Sequence, residues 1–88
     1  MASLRQIAVA LRYLEKRDSA PRVVAKGRGA VAERILHLAA EHGIPVHHDT
    51  DLVEVLVRLD LEQVIPPELY RAVAEILAYL YRVNQRKS

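Results

Sequence analysis

From Ile7 to Tyr13 the large apolar residues recur at every second position, Ile7, Val9, Leu11 and Tyr13, with Ala8 and Ala10 between them. Period two is a strand pattern, and it sorts the large side chains onto one face and the alanines onto the other. A solvated sheet face would carry polar residues, so a face of alanines is one against which another element packs closely. The chain must therefore supply cover for both faces of this strand, with Arg12 at an edge or an end.

The remainder of the 88 residues can be read for what provides that cover. Leu14 to Pro21 is a polar connection ending in a proline, which needs no ladder donor, and Arg22-Val-Val-Ala-Lys-Gly27 is a second strand. Gly27-Arg-Gly29 breaks it. Ala30 to His42 then has helical spacing, with Val31, Ile35, Leu38 and Ala39 on the expected core stripe and Gly43 as a left-handed cap. Ile44 to His48 is expected as a short third strand, making a right-handed parallel crossover with the second. Asp51 and Glu54 have capping-box spacing ahead of a helix of about two turns bearing Leu52, Val55, Leu56 and Leu59. Pro66 and Pro67 open a last helix to about Val83, whose stripe is Leu69, Val73, Ile76, Leu77 and Leu80, with Tyr70, Tyr79 and Tyr81 at its rim. The expected fold class is α/β, a small mixed sheet of about three strands flanked by three main helices. Residues 1–88 are expected to form one domain, with 1–6 flexible or a partial first strand and 84–88 a frayed tail.

Composition narrows the function classes. Cysteine is absent, so neither a disulfide framework nor a thiol nucleophile is available. The net charge of +2 conceals an asymmetry: residues 1–34 carry eight Lys/Arg against three acids, and residues 35–88 five against eight. Arg12, Lys16, Arg17, Arg22, Lys26 and Arg28 form the basic portion, a candidate surface for an acidic partner. No recognition-helix, RNP-like or zinc-finger pattern accompanies them; a solvated face is the simpler reading and a small nucleic-acid binder the alternative. His47, His48, Asp49 and Asp51 are the one cluster of metal-ligand types, but adjacent strand histidines point to opposite faces, and no metal or other cofactor is expected. Gly27-x-Gly29 lacks the third glycine and the lysine-serine pair of phosphate-binding loops. Ser3, Ser19 and Thr50 have no neighbouring base in sequence. The chain is not expected to be an enzyme.

Four stretches together point to a family. Ala8-Val-Ala-Leu-Arg-Tyr13, Ala20-Pro-Arg-Val-Val-Ala-Lys-Gly27, Gly43-Ile-Pro-Val46 and Ile65-Pro-Pro-Glu-Leu-Tyr70 leading into Ala72-Val-Ala-Glu-Ile-Leu-Ala78 resemble, in order and spacing, the cytoplasmic domain of the FlhB/YscU family. These are the substrate-specificity switch proteins of flagellar and type III secretion export machines. The resemblance implies a mixed sheet flanked by helices and a cytoplasmic protein at the face of the export apparatus. The implied partners are export substrates of rod and hook type and export-gate membrane proteins.

Two further expectations come with that resemblance. Family members cut themselves at Asn-Pro-Thr-His, where the asparagine side chain cyclises onto its own carbonyl; the matching positions here are Ser3-Leu4-Arg5-Gln6. Ser3 has no amide nitrogen to cyclise, and Gln6 cannot transfer a proton as histidine does, so no cleavage is expected. The chain then resembles an already cut C-terminal piece, and the edge of the Ile7–Tyr13 strand is free to pair with a partner or a second copy. The family's apolar substrate-docking pocket falls, by matching motif, on Ala20, Pro21, Ala74 and Leu77.

Overall fold

The structure, a computed structural model, describes residues 6–13 and 20–86, with side chains as far as Tyr79. Two strands, β1 (Ile7–Arg12) and β2 (Arg22–Arg28), pair antiparallel, and three helices follow: α1 (Ala30–Glu41), α2 (Thr50–Leu56) and α3 (Tyr70–Arg86), the last entered through a 3-10 turn at Pro67–Leu69. The class is α/β with a small sheet flanked by three helices, as the sequence implies.

The register places Ala8 opposite Gly27, Val9 opposite Lys26 and Ala10 opposite Ala25, then Leu11 opposite Val23. Val24 is thus an extra residue on β2, a bulge that bends that strand and leaves β1 regular. Both faces of β1 are covered, as the alanine alternation requires. A methyl group built on Gly27 would run into Val31 of α1, standing 2.6 Å from its Cβ, so the face shared by Gly27 and Ala8 is the one α1 occupies. There Ala8, Ala32 and Ala39 are buried, and small residues on both sides let the helix come close. On the opposite face Val9 and Leu11 pack against a cluster of Ala20, Leu56, Ile65 and Val73, joined by Leu52, Leu59, Val64, Leu69 and Leu77.

Several expectations are corrected. Ile44–His48 is not a strand; residues 44–49 lack regular structure and are exposed. The end of α1 consumes that segment's start: Gly43, at φ 65°, donates to Ala40 O and Ile44 donates to Ala39 O, the paired bonds of a Schellman motif. Pro45 supplies no donor to continue a ladder. The parallel crossover is therefore not formed among the described residues. A third line beside the sheet comes instead from residues 62–65. Val23 donates to Gln63 O at 3.0 Å, Glu62 to Val23 O at 2.6 Å and Ile65 to Pro21 O at 3.0 Å, with an antiparallel bridge between Arg22 and Val64. β2 also runs one residue past Gly27, to Arg28, and the break comes at Gly29, whose φ of 59° and ψ of −123° suit glycine.

The buried face of α1 is rotated from the expected stripe: Ala32 and Ala39 face the sheet, Ile35 and Leu36 are half-buried, and Val31 and Leu38 are 53% and 43% exposed. Close packing on alanines and a glycine favours the small residues of the helix over the large ones. The cap of α2 is Asp49 rather than Asp51; its side chain accepts from Leu52 N at 3.0 Å from an extended backbone. In α3, Val73 is buried and Ile76 and Leu77 are half-buried, matching the expected stripe, and Pro67 opens the 3-10 turn before it.

A candidate protein-docking surface

The four residues of the expected docking pocket divide between core and surface. Ala20 and Pro21, at the start of β2, are buried; Ala20 belongs to the central cluster with Ile65 and Val73. Leu77 packs against the same cluster from α3 and stays half exposed, and Ala74, three residues earlier on the helix, is exposed. Ala20, Pro21 and Leu77 thus border one apolar region, with Ala74 on the outer side of the helix that closes it. The local reason is the seam between Pro21 and Ile65, which draws the start of β2 onto the segment that leads into α3.

Two of the basic residues are engaged with the backbone of another segment. Arg22 donates through Nη1 to Glu62 O at 3.0 Å, and the Lys26 ammonium donates to Val57 O at 3.2 Å and Leu59 O at 2.7 Å. Both cations thereby tie the segment after α2 to β2; at Lys26 this is also favourable electrostatically, because the carbonyls at a helix C-terminus carry partial negative charge. Arg12 and Arg28 are exposed, and Lys16 and Arg17 lie outside the described residues. Of the positions matching the cleavage motif, Ser3, Leu4 and Arg5 also lie outside them, and Gln6 uses its backbone carbonyl to accept from Gly29 N at 2.8 Å.

The chain's sequence pattern hid two further features. Val31 and Leu38 of α1, with Ile44 and Val46 beyond it, are exposed apolar residues that periodicity assigns to the core or to a strand. Glu62 has φ 67°, an uncommon conformation for a residue with a side chain, and stands where its N–H meets β2. Only the preceding Asp60-Leu61 hinted at a turn there. Among the described residues no polar or charged side chain is buried, and no group of three or more His, Cys, Asp or Glu gathers. Among them, too, no helix is long and apolar enough to cross a membrane. The chemistry the surface offers is apolar and backbone contact.

Comparison with known proteins agrees with this architecture. A Bacillus subtilis protein, YlqH, is 44% identical over 78 residues, which is 89% of this chain and 84% of that protein. The flagellar biosynthetic protein FlhB of Yersinia enterocolitica is 51% identical over 81 residues, 91% of this chain but 21% of its own length. The chain therefore spans about a fifth of that flagellar relative. The crystal structure of the cytoplasmic domain of FlhB from Shewanella putrefaciens superposes with a TM-score of 0.84 at 35% identity, covering 92% of this chain and 67% of that one. The sequence profile of the FlhB HrpN YscU SpaS family matches residues 5–80, and with the shared fold this places the chain in that family.

Proposed function

We propose that this protein is a non-catalytic, protein-binding component of a flagellar or type III export apparatus that stands in the place of the family's C-terminal cytoplasmic piece. Its work is to dock export substrates or export-gate proteins at the cytoplasmic face of the machine. The observation that carries the reading is family membership over residues 5–80 together with the fold of an FlhB cytoplasmic domain. The apolar region bordered by Ala20, Pro21 and Leu77, with exposed Ala74 beside it, supports substrate docking there. The family found by the comparisons favours protein docking over nucleic-acid binding, and Arg22 and Lys26, two of the six cations such an interface would use, also hold backbone carbonyls of the fold, so that alternative is not retained.

Burial changes which substitution tests the pocket. Ala20 is 3% exposed, so a large or charged residue there would disrupt the core rather than report on docking. Ala74 is exposed and can be changed with the fold intact. Binding of purified rod or hook subunits, followed by calorimetry, is expected to weaken about tenfold or more in Ala74→Asp. Unchanged binding by a folded Ala74→Asp chain removes this surface from the function.

A further inference from the structure

The hydrogen-bond parity of the sheet fixes which way each β1 backbone group points. Gly29 N donates to Gln6 O, so Gln6 and Gly29 form a hydrogen-bonded pair, and such pairs alternate along an antiparallel ladder. Ala8 and Ala10 therefore turn their N–H and C=O groups toward β2. Past the bulge, Val23 gives its N–H and its C=O to Gln63 and Glu62 on its other side, so Leu11, opposite Val23, is again a position that points away. The N–H and C=O groups of Ile7, Val9 and Leu11 face outward along the free edge of β1, and among the described residues no other segment pairs with them.

The two sides of the sheet differ in protection. β2 carries the bulge at Val24, a glycine, Lys26 and the covering segment 62–65. β1 has no bulge or proline, and its one charge is at the end, Arg12. An unblocked edge of this kind is a template for another strand. The layers dictate the strand: small residues on the face under α1 and larger apolar ones on the face of the central cluster. Ile7-Ala-Val-Ala-Leu11 has that pattern itself.

We propose that β1 pairs with β1 of a second copy, antiparallel about a two-fold axis at Val9. Centred there, Val9 meets Val9, Ile7 meets Leu11 and Leu11 meets Ile7, and every outward N–H and C=O of these residues finds a partner. Ala8 lies across from Ala10 of the second copy, so the small face stays small. Arg12 lies across from Gln6 of the second copy and not from another arginine, avoiding a like-charge pair. The helices fit as well. α1 packs on both strands and so sits astride the hairpin; with strands about 4.8 Å apart, the symmetry axis brings α1 and its copy to about 10 Å, and packed helices lie roughly 8–10 Å apart. α2, which packs against β1, approaches its copy on the other face of the same seam. This inference is independent of the docking function.

The test combines sedimentation over a wide range of protein concentration with amide hydrogen exchange read residue by residue. The expected result is a mass rising toward twice that of the monomer, with the amides of Ile7, Val9 and Leu11 slowing as it rises while those of Ala8 and Ala10 are protected throughout. Val9→Pro deletes an outward donor and no bond to β2, and is expected to weaken association about tenfold or more; Ile7→Pro does the same at the strand's first residue should Val9→Pro fail to fold. A monomer at every concentration with fast exchange at Ile7, Val9 and Leu11 overturns the proposal. So does association that leaves those three amides fast, or edge pairing seen only with an added extended peptide.

Discussion

Gly27 sits where α1 comes nearest to β2, and the contact is one of shape alone: any side chain there would have to displace Val31 or the backbone behind it, 3.4 Å away. Other single residues are just as constrained by their chemistry. Lys26 is a cation on the core face of β2, opposite Val9, and it stays there because two carbonyls at the end of α2 accept from its ammonium. By the motif match that the family resemblance implies, Ser3 and Gln6 are proposed to take the places of the asparagine and histidine of a self-cutting sequence. A serine hydroxyl cannot form the cyclic imide on which that cut depends. The chain is therefore expected to remain whole, and intact-mass measurement after days at neutral pH is expected to give a single species; a product beginning at Leu4 would contradict this.

At the level of elements, the start of α2 separates two acids that are two residues apart. Asp49 is extended and accepts from Leu52 N, whereas Asp51 lies within the first turn. Asp49→Ala is expected to cost about 1 kcal/mol in denaturant unfolding, and Asp51→Ala no more than about 0.5 kcal/mol. Equal effects would return the cap to Asp51. The capping-box spacing points to Asp51, and only the path of the chain out of the exposed 44–49 segment puts Asp49 in the capping position instead. Other elements were legible for clear reasons. β1 and the burial of both its faces followed from the alanine alternation, α3 from a long apolar stripe behind two prolines, and the end of α1 from Gly43. Two were not. The buried face of α1 is not legible because hydrophobicity alone ranks Val31 and Leu38 above Ala32, while a helix on an alanine and glycine surface buries its smallest residues. Local pattern puts a strand beside β2 at Ile44–His48, yet the segment that lies there is Glu62–Ile65, whose partner is set by tertiary contact. The residues proposed for docking are legible only through family resemblance; Ala20 before Pro21 and Ala74 within a helical run are both small apolar residues, and that alone does not tell the buried one from the exposed one.

The whole molecule is a thin sheet between two unlike layers, α1 over small residues on one side and the central cluster with α2 and α3 on the other. Gly27→Ala perturbs the first layer, at an expected cost of roughly 1–3 kcal/mol for overpacking. Ile65→Val perturbs the second, at about 1 kcal/mol for one lost methyl group at a residue 1% exposed. Because the sheet lies between them, the two losses are expected to add within about 0.5 kcal/mol in the double variant. A larger discrepancy in chemical denaturation would mean that the layers are coupled through the sheet.

The seam between Pro21–Val23 and Glu62–Ile65 joins residues about 40 positions apart, as the Arg22–Glu62 contact also does. As the chain leaves the ribosome, β1, β2 and α1 are complete in length well before residue 62 has been made. During that interval the outer side of β2 is bare, and Val23, which is fully buried at the end, lacks Gln63 and Glu62 as partners. Closing so long a loop is entropically slow compared with forming the hairpin and helix beside it. Synthesis thus passes through a half-built sheet whose β2 edge is open, and the arrival of four late residues is what seals it.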